Sequence, residues 1–138
     1  MQPRRLDVTD RMDIQDFFAR YCFLIDENRA DEWVALFTPD AVFDVPGLAR
    51  MEGHEQIRKI VEMVSAQSQG RWRHQLMNIL AEPTNETGAA RFQMTGLVTD
   101  WSGQGAVSTF SDYCGRMRKI DGEWRIAEIV AKPMRITV

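Results

Sequence analysis

Arg71-Trp72-Arg73-His74-Gln75-Leu76-Met77-Asn78-Ile79-Leu80 is the stretch where the chain changes its period. Before it, apolar residues return every three or four positions; from Arg71 onward they alternate with polar ones, the signature of strands. Trp72, His74, Leu76, Asn78 and Leu80 fall on one face of this run. That face is mostly large and apolar, so it is expected to point inward. It also carries an imidazole and an amide, which are costly to bury without hydrogen-bond partners. The interior it faces must therefore offer something polar: a ligand pocket, water, or a fixed side chain. A core histidine satisfied by structure alone is the competing explanation.

Downstream, three more alternating runs follow, Ala89 to Trp101, Ala106 to Met117, and Glu123 to about Val130, after a first run ending at Ala81. Pro83 to Gly88, Ser102-Gly103-Gln104-Gly105 and Asp121-Gly122 separate them, the last being a two-residue hairpin signal. An antiparallel meander is expected. Gly103 and Gly105 flank a turn with no helix after it, so they form no phosphate loop. Upstream, Thr9 or Asp10 is placed to cap a helix bearing Ile14, Phe17, Phe18, Tyr21 and Ile25. Asp31 is placed to cap a short second helix with Trp33, Leu36 and Phe37, ended by Thr38-Pro39-Asp40. Ala41 to Val45 reads as a strand stopped by Pro46-Gly47, and Ile57, Ile60, Val61 and Val64 mark a third helix closed by Ser65 to Gly70. Helices first and strands afterwards, without βαβ alternation, indicate an α+β fold with helices covering one face of a curved sheet.

The length of 138 residues and the 44% hydrophobic content suit one domain over 1–138, with a polar leader at 1–9. The 17 basic and 20 acidic residues are scattered, for a net charge of −3, which gives no electropositive surface for nucleic acid. No apolar run reaches the roughly 20 residues of a membrane span, and Met1 to Asp10 lacks the apolar core of a secretory signal. Cys22 and Cys114 are the only cysteines, which argues against a disulfide framework or a structural zinc site and points to a reduced, cytoplasmic setting. His54, just after Gly53 at a helix start, reads as a solvated first-turn residue rather than a ligand.

Asp26, near the end of the first helix beside Cys22 and Ile25, is the natural partner for His74. A carboxylate there is either solvated or turned into the cavity, where it would hold one imidazole nitrogen and leave the other to take a proton.

Tyr21-Cys22-Phe23-Leu24-Ile25-Asp26, Leu36-Phe37-Thr38-Pro39-Asp40-Ala41, Gly53, Arg73-His74, Asn78 and Asp121-Gly122-Glu123-Trp124-Arg125-Ile126, in this order and spacing, resemble the SnoaL-like group of the NTF2-like superfamily. The resemblance spans about Asp10 to Ile129 and implies a bent, mainly antiparallel sheet wrapped around a helix into a cone with a hydrophobic pocket. It also implies a homo-oligomer, dimer or trimer. Scytalone dehydratase, bile-acid 7α-dehydratase and hexachlorocyclohexane dehydrochlorinase use an Asp/His pair placed much as Asp26 and His74 are, without cofactor or metal. The resemblance to bile-acid dehydratase gives Tyr21 a role in hydrogen-bonding a substrate carbonyl or leaving group. Tyr21 and Asp26, however, lie about 140° apart on an ideal helix, and Tyr21 as plain core is the alternative. Arg125, Lys132 and Arg135 offer no clear match to the late basic residue of those lyases. Asp44 lies one residue from the position of the ketosteroid isomerase base, which corresponds to Val45, and such a shift reverses the strand face.

The expected function is a cofactor-independent lyase or isomerase acting on a small hydrophobic ring compound. His74, Asp26 and Tyr21 would be catalytic, and Asn78, Trp72, Phe18 and Leu76 would contact substrate. A noncatalytic ligand-binding or assembly module, like the accessory subunits of ring-hydroxylating dioxygenases, is the alternative from another class. A hydrolase of the limonene epoxide hydrolase type needs an Asp/Arg/Asp arrangement that has no clear counterpart in this sequence.

Overall fold

A computed structural model describes residues 4–135, with Arg135 described through its backbone only. Helix α1 (Val8–Asp26) begins one turn earlier than the apolar spacing suggests, because Asp7 caps it: its Oδ1 accepts the Asp10 N–H at 2.8 Å. Asp10, expected as a cap, instead accepts from Lys119 Nζ at 2.8 Å and from the Trp124 indole N–H at 3.2 Å, tying the helix start to the far hairpin. The buried side of α1 is Ile14, Phe17, Phe18, Tyr21, Cys22, Leu24 and Ile25, the stripe that its three- and four-residue spacing dictates.

Helix α2 (Ala30–Val34) follows at once. Asp31 lies inside it, accepting from Arg58 Nε at 2.9 Å rather than capping. Strand β1 (Phe37–Val45) and strand β2 (Ala49–Glu52) form an antiparallel hairpin around Pro46-Gly47. Helix α3 (Gly53–Ser68) then leads to β3 (Trp72–Pro83), β4 (Ala89–Asp100), β5 (Ala106–Ile120) and β6 (Glu123–Arg135). The six strands form one sheet in the order β2-β1-β6-β5-β4-β3. Among the described residues only the β1–β6 pairing is parallel; the other four are antiparallel. The helices pack on the sheet in the α+β arrangement, and Phe18, Trp33, Phe37, Ile57, Met117, Ile126 and Ile129 are among the fully buried side chains between them.

Two details position the site. Strand β3 is an edge of the sheet, and α1 lies along it, so the unpaired side of β3 faces helix side chains rather than another strand. The pairing of β3 with β4 also slips between Met77 and Leu80, where Asn78 adopts φ 55°, a left-handed conformation that Asn tolerates better than most residues. This bulge reverses the alternation. Trp72, His74 and Leu76 are half-buried on one face, Ile79 and Ala81 pack on the core beyond the slip, and Leu80 is exposed. Asn78 is therefore not on the histidine face as expected; it is exposed, with its amide 3.5 Å from Thr95 Oγ1.

Candidate functional site

Asp26 and His74 meet at the seam between the last turn of α1 and the edge strand β3. The His74 Nδ1 stands 2.7 Å from Asp26 Oδ1, and the side chains keep only 11% and 8% of their surface. The same carboxylate accepts the His74 backbone N–H, at 3.1 Å to Oδ1 and 3.0 Å to Oδ2. An edge strand leaves every second N–H without a ladder partner; here the carboxylate takes the place of the missing strand. Because a carboxylate only accepts, Nδ1 must carry the proton, and Nε2 of the neutral ring is left with its lone pair. Among the described residues no hydrogen bond engages Nε2.

Cys22, one turn before Asp26, shares the seam. Burial foremost, then the Asp26 charge, pushes its thiol up to about 12, while the Leu76 backbone N–H acts the other way. Tyr21 is 3% exposed, with its ring against Trp33 at 5.3 Å and against Phe18 and Phe37 at 6.4 Å each. Burial, then the nearby Tyr113 and Cys22, holds its phenol well above the usual range. Phe18 is completely buried beneath, 5.0 Å from Phe92 between ring centres. Of the expected contact residues, Trp72 and Leu76 thus share the face of His74, Phe18 lies in the core behind, and Asn78 lies outside. The Trp72 indole N–H donates to Asp100 Oδ2 at 3.3 Å.

Of the late basic residues, Arg125 and Lys132 do not join the pair. Arg125 donates to Glu123 at 2.6 Å and to the Trp124 carbonyl at 2.9 Å, at the opposite end of β6 from Lys132. Lys132 is exposed in register with Asp112, and the Arg135 side chain lies outside the described residues. Asp44 stands 4.0 Å from Arg50, and Val45 packs on the core. His54 corrects its expectation: it is half-buried, with Nε2 donating to the Phe37 carbonyl at 2.8 Å, so it pins the start of α3 to β1. Among the described residues no group of three or more His, Cys, Asp or Glu side chains is placed to hold a metal ion.

Depressions of about 400–560 Å³ mark the surface. One of them, about 490 Å³, is bounded by Asp13, Asp16, Arg20, Glu123 and Arg125. His74, Asp26 and Tyr21 line none of these five. The His74 side chain keeps 11% of its surface exposed.

Solved structures share this arrangement of elements. Rv3472 of Mycobacterium tuberculosis, a protein of unknown function in an Asp-to-Asn variant, is 25% identical over 94% of this chain and 74% of its own, with a TM-score of 0.83. A candidate scytalone dehydratase from Novosphingobium aromaticivorans is 18% identical over 95% and 90%, with a TM-score of 0.79. The beta subunit of a candidate aromatic-ring-hydroxylating dioxygenase from the same organism is 17% identical over 94% and 92%, with a TM-score of 0.77. At such identities the last two speak for the fold alone. None of the curated proteins matches the sequence. The profile of the SnoaL-like domain, in contrast, matches residues 7–130, nearly the whole described chain, and the protein belongs to the SnoaL-like domain family, with the NTF2-like fold.

Proposed function

We propose that the protein is a cofactor-independent lyase or isomerase in which His74 Nε2 removes a proton from carbon. The 2.7 Å contact between Asp26 Oδ1 and His74 Nδ1 carries this reading. It presents the free nitrogen as a base and supports the imidazolium that forms when the proton arrives. The proton would come from a carbon next to a carbonyl or next to a carbon bearing a leaving group. In the lyase version the C–H electron pair forms the new double bond and the leaving group departs with its own pair. In the isomerase version the proton returns to another carbon of the same skeleton. Trp72 and Leu76 flank the base and suit a small hydrophobic ring compound, with Tyr21 and Phe18 as the aromatic backing. A homo-oligomer working in a reduced cytoplasm belongs to the same proposal.

The test is carbon-bound proton exchange in D₂O, followed by NMR across a panel of cyclic ketones, hydroxyketones and alkyl halides. Exchange or elimination by the wild type that falls about 10²- to 10⁴-fold in His74→Ala supports the base; equal rates in the two proteins would sink it. A noncatalytic binding or assembly role is the second reading. It is favoured by the sheet face opposite His74, where Leu97, Phe110 and Met134 lie in one cross-strand row and Met134 is 52% exposed. Binding of ring compounds without exchange by any panel member would move the assignment there.

A further inference from the structure

Strand register brings a second phenol to the face of His74. Leu76 pairs with Gly96 and Gly96 with Ser111, while Met94, two residues before Gly96, pairs with Tyr113. His74, Leu76, Gly96, Ser111 and Tyr113 therefore share one side of the sheet. Tyr113 does not stand upright on its own strand. A Cβ built on Gly96 would meet Tyr113 Cε2 at 2.4 Å, Tyr113 Cδ2 at 3.2 Å and Leu76 Cδ2 at 3.0 Å. The ring thus leans from β5 over the bare backbone of β4, its outer edge leading, until it lies beside Leu76. Leu76 is the same-face neighbour of His74, about 6.6 Å along the strand.

We infer that the Tyr113 hydroxyl donates the hydrogen bond that holds a substrate carbonyl beside His74, with Gly96 as the gap that lets the ring reach there. This rests on the reading of His74 as the base. A carbonyl held in this way makes the adjacent C–H more acidic, because the phenol O–H stabilises the negative charge that develops on oxygen when His74 takes the proton. Tyr113 is suited to donate. Burial raises its phenol above the ordinary range, so it stays protonated and keeps its O–H to donate. Tyr113 is half-buried at the margin of the core, whereas Tyr21, 3% exposed, is sealed among Phe18, Trp33 and Phe37.

The probe is 2-acetylnaphthalene, a planar aryl ketone, bound to the full chain and followed by its carbonyl infrared band. In the wild type and in Tyr21→Phe the band is expected at lower frequency than in hydrocarbon solvent. Tyr113→Phe should return it to the solvent position and weaken binding about 2- to 12-fold, the range of one ordinary hydrogen bond. Gly96→Ala should do the same while keeping the phenol, because the methyl group occupies the place of the ring. An unchanged band and affinity in Tyr113→Phe, or no binding to the wild type at millimolar probe, overturns the inference. Neither readout requires proton transfer. Loss of the shift in Tyr113→Phe with no exchange by the wild type would fault the base alone, and exchange with an unmoved band would fault Tyr113 alone.

Discussion

Asp26 serves two partners with one carboxylate, the Nδ1–H and the backbone N–H of His74. Its variants should separate accordingly. Asp26→Asn keeps an acceptor for the backbone but can turn its amide toward the ring and favour the wrong tautomer, so turnover should fall about 10²- to 10⁴-fold with little loss of stability. Asp26→Ala leaves a strand N–H without a partner and should also cost about 1–3 kcal/mol in urea unfolding. Equal stability of the two variants would contradict the second role. Cys22 gives a pH test. Its folded pKa is raised, so its contribution to stability is complete below about 9, the ordinary thiol value, and is lost as pH rises toward about 12. The difference in melting temperature between the wild type and Cys22→Ala should be constant below pH 9 and shift against the wild type above it. Iodoacetamide at neutral pH should label exposed Cys114 and spare buried Cys22 in the native protein, as peptide mass mapping would show.

At the scale of elements, β3 shows what the sequence could and could not say. Its alternation marked Trp72, His74 and Leu76 as one face, and the structure keeps them together. Alternation carried through the whole run puts Asn78 with them, but a bulge is one extra residue and leaves no mark in a period of two. The left-handed φ of Asn78 was a weak clue, since Asn favours that region for local reasons. Asn78→Gly should therefore be nearly neutral in thermal unfolding, whereas Asn78→Val, β-branched at positive φ, should destabilise by about 1–3 kcal/mol. The β1–β2 hairpin escaped notice because Ala49–Glu52 is short and mostly exposed, without an apolar alternation to announce it. Asp7 carries no cap signal in the apolar spacing, which starts only at Ile14. In the sheet centre, a Cβ on Gly115 would approach the Glu128 carbonyl oxygen to 2.0 Å, a backbone atom that cannot turn aside. Gly115→Ala should cost about 1–3 kcal/mol or more. An unchanged melting temperature would show that β5 and β6 have room to part.

For the whole molecule, the order of helices and strands is legible because hydrophobic periods and turn residues agree along nearly the entire chain, and the SnoaL-like domain matches over nearly the same length, residues 7–130. The contact of Asp26 with His74 was legible only as chemistry, a carboxylate and an imidazole that each need a partner, since 48 residues separate them and packing alone brings them together. Tyr113 is not legible in the sequence for the same reason: its approach to Leu76 depends on the missing side chain of Gly96, a strand away. A base of this kind works without a metal ion, so exchange activity should survive dialysis against excess EDTA, and its loss would point to a different chemistry. The state of the His74 ring is the most direct test. In ¹⁵N-histidine-labelled protein, above the pH at which the ring is charged, Nδ1 should carry the proton and Nε2 should give the signal of a bare, pyridine-like nitrogen, with the two no longer so distinguished in Asp26→Ala. A proton found on Nε2 in the wild type would contradict the account, because the nitrogen assigned as the base would then have no lone pair to offer.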